Sequence, residues 1–191
     1  IALSDCGEAY KGASSPHWYA QDAFYELLQA AGSRMVRAVV ASLDGCSGTK
    51  AGTLTANLHG RPAASLSRSE ASCLLRACQS ATKPVKPTRL GEVGPLEGRH
   101  YGLVRGEIDS DGVAVPAVVE VWLTSTSDAT QIGVPIHAAC INRSPIIGKL
   151  TAQYFKRDRT LGLFGCQLAT GFAVGRAVPD GIMFNIQCPA V

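Results

Sequence analysis

The sequence predicts an α+β fold, with a small helical module followed by a mostly antiparallel sheet module. Apolar residues recur at spacings of three and four in the first half, which is the period of an amphipathic helix. Short runs rich in β-branched residues fill the second half, separated by Gly-rich or polar loops. We therefore expect the helical module at residues 15–90 and the sheet module at residues 91–191, with residues 1–14 forming the end of a preceding domain or a linker.

Two helices are predicted before residue 45. Ser15 and Pro16 suit the start of the first helix, because Pro is well tolerated in a first turn, and Gly32 suits its end. Ser33 can cap the second helix, which Gly45 would end. The two apolar stripes are Phe24, Leu27, Leu28 and Ala31, and then Met35, Val36, Val39, Val40 and Leu43.

The third helix has the clearest start signal. Ser67 and Glu70 form a capping box, in which each side chain accepts a hydrogen bond from the backbone amide of the other residue. Before it, residues 45–55 predict a turn plus a weak helix. After it, the prolines in residues 83–88 interrupt regular structure, so we place a linker there and a domain boundary near residues 83–95. The apolar stripe of this helix is Ala71, Leu74, Leu75 and Cys78.

Five strands are predicted in the second half of the chain. The first two flank residues 109–112, Asp-Ser-Asp-Gly, which is a sequence typical of a hairpin turn. No helix-length pattern separates the strands, so neighbouring strands should pair mostly antiparallel. The predicted strands are residues 101–108, 115–124, 136–142, 161–166 and 182–188.

The bulk properties indicate a folded domain. Hydrophobic residues make up 46% of the 191 residues, and no apolar run reaches the roughly 18 residues of a membrane-spanning helix. The seven cysteines are odd in number and irregularly spaced, which favours free thiols in a reducing compartment and hence a cytoplasmic location. The sequence starts at Ile1 rather than Met and stops directly after a strand-like run, so we expect an internal piece of a longer protein.

Few residues have the type and spacing of a catalytic or binding site, and we predict no catalytic, cofactor-binding or metal-ligating residue in this chain. Neither GxxxxGK[ST] nor GxGxxG occurs, and the glycine-rich residues 44–48 are better explained as a loop that ends a helix. His137 and Cys140 would point to opposite faces of a predicted strand, which argues against a Cys–His dyad. Three acidic residues cluster near the hairpin turn, two of them within it, and they are better explained as solvated than as a calcium loop. They are Glu107, Asp109 and Asp111.

The basic excess is confined to one segment. Residues 61–89 carry a net charge of +5, whereas the segments before and after it each carry −1. The cations lie on the third predicted helix and in the linker that follows it, where they could contact phosphates without reading sequence. The alternative is a solvated, charged face. The candidate nucleic-acid contacts are Arg68, Arg76, Lys83, Lys86 and Arg89.

Several short stretches occur in an order typical of one protein family. They are His17-Trp18-Tyr19, Leu66-Ser67-Arg68-Ser69-Glu70 with the linker, Val115-Pro116-Ala117-Val118-Val119-Glu120-Val121-Trp122, Cys140-Ile141-Asn142-Arg143-Ser144-Pro145-Ile146, Leu163-Phe164-Gly165-Cys166 and Phe184-Asn185-Ile186. Together they resemble the B subunit of DNA topoisomerase VI and, more closely, the bacterial ATP-binding proteins related to it. The resemblance covers most of the chain, and its most specific part is the Asn-Arg-x-Pro element.

The resemblance implies a non-catalytic role for this chain. In that family, an ATPase domain precedes a helix–two-turns–helix module and a transducer domain of the ribosomal-protein-like α+β type. By resemblance, residues from about 15 to 85 are the helical module, and residues from about 95 onward are the first part of the transducer. The motifs of the ATPase domain do not occur in this chain, so ATP and Mg would bind elsewhere in a longer, homodimeric protein.

The expected function is to couple ATP-driven dimerisation to a partner subunit or to DNA, through a rigid-body movement of the transducer. One alternative is a free-standing nucleic-acid-binding module that acts through residues 61–89, with binding that weakens steeply with salt. Another is an enzyme that uses Cys140 or Cys166 as nucleophile, which thiol-specific inactivation would reveal.

Overall fold

The computed structural model describes residues 3, 6–110, 112–124, 137–146, 150–165, 168–173 and 181–189. Over these residues the protein is a mixed α+β structure, which confirms the predicted fold class. The helices are α1 (Gln21–Ala30), α2 (Val36–Ala41), α3 (Thr49–Leu54) and α4 (Arg68–Ala81), and none of them is long and apolar enough to cross a membrane. The strands are β1 (Glu8–Ala9), β2 (Gly91–Glu92), β3 (His100–Ser110), β4 (Val113–Thr124), β5 (His137–Ile141), β6 (Ser144–Pro145), β7 (Thr151–Phe155), β8 (Thr160–Gly165), β9 (Leu168–Ala173) and β10 (Gly181–Gln187).

The first predicted helix is split in two. Residues Pro16–Trp18 form a 3₁₀ turn that Ser15 caps, since the Ser15 hydroxyl accepts the backbone amide of His17 at 3.2 Å. The extended residues after this turn delay the start of α1 to Gln21. Gly32 follows the end of the helix with a φ of 57°, a left-handed conformation that favours glycine, as predicted.

The predicted Ser33 cap of the second helix is wrong. Met35 directly precedes α2, and it pairs with Pro62 in an isolated antiparallel bridge. Met35 itself is extended, so α2 begins only at Val36; Ser33 lies two positions before this N-cap residue, and no side chain caps the helix. The next helix, α3, lies where residues 45–55 predict a weak helix.

The third predicted helix, α4, starts as the capping box predicts. The Ser67 hydroxyl accepts the Glu70 amide at 3.3 Å, and the Ser67 amide donates to Glu70 Oε2 at 2.8 Å. Arg61 adds two hydrogen bonds to the same carboxylate, at 2.5 and 3.2 Å. The helices then bury a common apolar core around Phe24, Leu28, Val36, Val40, Leu75 and Cys78.

The largest sheet has five strands in the order β3-β4-β10-β5-β6. All of its neighbours pair antiparallel except β10 and β5, which are parallel, so the expectation of mostly antiparallel pairing is confirmed. A separate three-stranded sheet, β7-β8-β9, contains only one strand that the sequence predicts, β8. Strands β1 and β2 form a two-stranded ribbon.

The N-terminal residues pack on the large sheet. Leu3 is 1% exposed and belongs to a cluster with Val93, Trp122, Cys140 and Met183. The β1–β2 ribbon places residues 8 and 9 beside the strand that follows the linker. The start of the chain and the linker therefore meet at the junction between the helices and the sheet.

Candidate nucleic-acid interface

Three segments that are distant in sequence form one open cleft of about 560 Å³. The glycine-rich loop after α2 supplies one wall, the start of α3 supplies a lysine, and the C-terminal end of α4 with the linker supplies the rest. We call this the basic cleft. It is lined by Asp44, Gly45, Lys50, Ser80, Ala81, Thr82, Lys83, Pro84, Lys86 and Arg89.

Lys83 and Lys86 are presented to solvent by a linker that is fixed in place. Both lysines are exposed, whereas Val85 between them is only 2% exposed and Leu90 after them is 3% exposed. Neither ammonium group has a hydrogen bond or ion pair with any residue that the structure describes. The burial of Val85 therefore gives two unpaired cations a defined position, which an unstructured linker would not do.

Arg89 is held at the mouth of the cleft by Asp44. Its two terminal nitrogens donate to the two carboxylate oxygens at 2.9 and 3.0 Å, a bidentate geometry. The hydrogen bonds from Arg89 lower the pKa of the Asp44 carboxyl and raise the pKa of the guanidinium. The guanidinium also lies 6.0 Å from the ring centre of Tyr10. Arg89 is thus partly neutralised, although its side chain remains 49% exposed.

The C-terminal end of α4 would repel a phosphate if its carbonyl groups were unpaired. Two side chains reduce this effect. Lys50 Nζ donates to the carbonyl oxygen of Ala81 at 3.0 Å, and the Thr82 hydroxyl donates to the carbonyl oxygen of Cys78 at 2.8 Å. Lys50 therefore serves as a helix cap and as the fourth cation of the cleft.

The five candidate contacts predicted from the sequence fall into two groups. Lys83, Lys86 and Arg89 share the basic cleft, and Lys50, which lies outside the basic segment of the sequence, joins them. Arg68 lies at the opposite end of α4, where it pairs with Asp22. Since a 14-residue helix is about 20 Å long, Arg68 and the basic cleft cannot act as one compact site.

The two candidate contacts outside the cleft, Arg68 and Arg76, have local partners on the helical surface. The Arg68 guanidinium lies 4.7 Å from the ring centre of Tyr25, in addition to its ion pair with Asp22. Arg76 lies midway along α4, with Nη2 at 3.5 Å from the Cys73 sulfur. Both are exposed, so each could meet a long polyanion, but neither lines the cleft.

A second feature of the molecule joins its separate segments. Asn142 and Arg143 form the tight turn between β5 and β6, with φ angles of 49° and 68°. The Arg143 guanidinium donates to the backbone carbonyl oxygens of Cys6 at 2.5 Å, Glu8, and Glu92 at 3.2 Å. The Asn-Arg-x-Pro element therefore connects the sheet to the N-terminal segment and to β2, a role that the sequence alone does not reveal.

Glu120 provides a matching connection inside the sheet. It is fully buried on β4, and its carboxylate accepts the backbone amides of Val93 and Gly94 at 2.8 and 2.9 Å. The Tyr101 hydroxyl donates to the same carboxylate at 2.9 Å. Burial, and then the hydrogen bond to Glu120, raise the pKa of the Tyr101 phenol. The segment that follows the linker is thus fastened to the middle of the sheet.

The candidate nucleophile Cys140 is poorly placed for catalysis. Cys140 is 3% exposed, and burial raises the pKa of its thiol, which disfavours the reactive thiolate. Cys166 and the side chain of His137 lie outside the residues that the structure describes. At the hairpin turn, Asp109 accepts the Gly112 amide at 2.9 Å, while Asp111 is also outside the described residues. Among the described residues, no group of three or more His, Cys, Asp or Glu could hold a metal ion.

Comparison with known proteins gives no assignment. No protein-family model matches this chain, and no curated protein matches it.

Proposed function

We propose that this chain is a non-catalytic section of a topoisomerase VI B-like ATPase, which couples ATP-driven dimerisation to DNA through the basic cleft. The observation that carries the DNA contact is the pair of unpaired, exposed lysines, Lys83 and Lys86, held in place by buried Val85. The basic cleft carries four cations against one carboxylate, Asp44. ATP and Mg would bind outside this chain, because no phosphate-binding loop occurs here.

The geometry of the cleft suits a duplex backbone better than a small anion. Three residues of extended chain span about 10 Å, so Lys83 and Lys86 can reach neighbouring phosphates along one strand. The cleft is open, and its cations are flexible lysines plus one arginine already paired with Asp44. Such contacts neutralise phosphates without distinguishing bases, so we expect weak binding that is independent of sequence.

The coupling part of the proposal is supported by the two polar junctions. Arg143 and Glu120 connect the N-terminal segment, the residues after the linker and the large sheet. A movement of the sheet would therefore be transmitted to residues 91–94 and from there to the linker that carries the lysines. This arrangement matches a lever that moves as a rigid body.

A fluorescence-anisotropy titration with duplex DNA tests the contact. We expect a Kd of roughly 10⁻⁴–10⁻⁶ M near physiological salt, and a log–log salt slope of about −0.9 for each phosphate contact. Replacing Lys83 and Lys86 with Ala should reduce the magnitude of this slope by about 1.8. The matched control is the replacement of Arg68 and Arg76 with Ala, which removes two positive charges from α4 outside the cleft and should change the slope little.

Two results would contradict the contact. The first is the absence of binding at about 50 mM salt, where phosphate contacts are strong. The second is an equal loss from both double variants, which would mean that net charge alone attracts DNA. A gene that encodes an Asp-x-Gly-x-Gly loop immediately upstream of Ile1 would support the coupling role, and a gene without it would favour the free-standing module.

A further inference from the structure

The outer edge of the large sheet is formed by a long strand, β3. Its 11 residues pair with β4 on one side, and no described residue pairs with its other side. Residues 104–109 are exposed on both faces, and Val104 is 68% exposed and Ile108 38% exposed. An edge of this length presents a row of unpaired amide and carbonyl groups to another strand.

We propose that β3 pairs antiparallel with β3 of a second copy of this chain, around a twofold axis at Gly106. This inference is independent of the proposed contact with DNA. The order of side chains along β3 is self-complementary in this register and in neither of the two adjacent registers.

The charges select the register. In an antiparallel pair, directly opposed residues lie on the same face of the sheet, and side chains alternate between faces along each strand. In a symmetric pair, one residue must therefore lie opposite the same residue of the second copy, and the twofold axis passes through that position. With the axis at Gly106, Arg105 of each copy faces Glu107 of the other. With the axis at residue 105, the two Arg105 side chains would lie opposite each other. With the axis at residue 107, the two Glu107 side chains would do so. Like charges in opposed positions are destabilising, so both adjacent registers are disfavoured.

The apolar residues agree with the same register. Val104 of one copy lies opposite Ile108 of the other on the second face of the strand, so both exposed aliphatic side chains gain a partner. Gly102 and Gly106 lie on that face, and a Cβ at either position would have no neighbour within 4 Å, so no described side chain covers that face of the strand at the two glycines. One isologous contact therefore pairs the charges and covers the apolar residues together.

An intramolecular ion pair does not prevent this contact. Arg105 already pairs with Glu92 of its own chain through Nη2. A guanidinium carries five N–H donors, so Arg105 can also receive the Glu107 carboxylate of a partner. Because the contact consists of one strand edge, it buries a small area, and we expect a weak, concentration-dependent dimer.

Cysteine cross-linking tests the register. In a Cys73→Ser background, which removes an exposed thiol, Gly106→Cys should form a disulfide-linked dimer when treated with oxidised glutathione. The matched control is Gly102→Cys, on the same face of the same strand. In the proposed register the two copies of residue 102 are about 27 Å apart, so this variant should not cross-link.

Sedimentation of the full chain provides the second measurement. The wild type should show a monomer–dimer equilibrium, and Glu107→Arg should weaken the dimer at least tenfold, because it places two cations opposite each other. Glu97→Arg makes the same charge change at another exposed site and should leave the equilibrium unchanged. A monomer at all concentrations, equal cross-linking of the two cysteine variants, or a dimer that Glu107→Arg does not weaken would each overturn the proposal.

Discussion

Glu120 and Asn185 lie directly opposite each other on neighbouring strands in the middle of the large sheet, and both are fully buried. Asn185 Nδ2 donates to Glu120 Oε2 at 3.3 Å. Gln187 Nε2 donates to the same oxygen, also at 3.3 Å. Together with two backbone amides and the Tyr101 hydroxyl, five donor groups surround this carboxylate. The set suits a carboxylate that only accepts hydrogen bonds.

Replacing Glu120 with Gln should therefore destabilise the protein. In either orientation the N–H donors of the new amide would face other donors, those of Val93 and Gly94 at one oxygen position or those of Asn185 and Gln187 at the other, leaving buried groups without partners. We expect the free energy of unfolding to fall by about 2–3 kcal/mol, measured by chemical denaturation. Glu107→Gln on exposed β3 is the control and should change it by less than about 0.5 kcal/mol. Equal stability of Glu120→Gln and wild type would show that the carboxylate is not required.

Replacing Ser67 with Ala should destabilise α4. The substitution removes the side-chain oxygen that accepts the Glu70 amide, and losing an N-cap of this type costs about 1 kcal/mol. Thermal or chemical unfolding measures the change. Ser80→Ala removes an exposed hydroxyl near the other end of the same helix and should have a small effect. A Ser67→Ala protein as stable as the Ser80→Ala protein would contradict the importance of the cap.

The Glu70 carboxylate should make stability depend on pH in the acid range. Hydrogen bonds from Arg61 and then from Ser67 lower its pKa to about 2. Because the folded pKa lies below the unfolded value of about 4.3, this contribution is fully present above that value and is lost as the pH falls toward 2. In a pH series of unfolding midpoints, Glu70→Gln should be less stable than wild type at neutral pH and should lose less stability between about pH 4.3 and 2. Parallel curves for the two proteins would contradict this.

The cysteines should differ sharply in reactivity toward a thiol reagent. Cys73 is exposed and should react quickly in the native protein, so Cys73→Ser should remove a fast phase. Burial, and then the neighbouring Cys46, raise the pKa of Cys78 to about 12, and burial also raises the pKa of Cys46. Four buried thiols should therefore react only after unfolding, and the denatured protein should show all seven cysteines. They are Cys46, Cys78, Cys140 and Cys188. Fast reaction of these thiols in the folded Cys73→Ser protein would count against the packing.

Local signals could be predicted from the sequence, because they involve residues a few positions apart. Ser67 and Glu70 are three residues apart, and both halves of their capping box form. The helix end at Gly32 could be predicted for the same reason, since it depends only on the backbone conformation of Gly32 itself. The prediction that Ser33 caps the second helix was wrong because the start of this helix depends on a distant contact. Met35 pairs with Pro62, and no pattern around residue 33 can indicate that pairing.

The site was only partly predictable for the same physical reason. Lys83, Lys86 and Arg89 could be grouped because they are adjacent in the linker, but Lys50 reaches the cleft through the packing of α3 near the end of α4. Glu120 lies in a valine-rich strand, and only the fold brings residues 93 and 94 to it. Arg143 has three carbonyl partners, all of them far away in sequence.

The position of β10 has a consequence for how the protein is made. It lies between β4 and β5, although 56 residues of chain emerge from the ribosome after β4 and before β10. Until β10 arrives, Glu120 has neither Asn185 nor Gln187, and β4 has no neighbour on that side. The helices, whose contacts are closer in sequence, can fold first. Nascent chains halted before residue 181 should therefore present folded helices beside an incomplete sheet, which is the state that chaperones would meet.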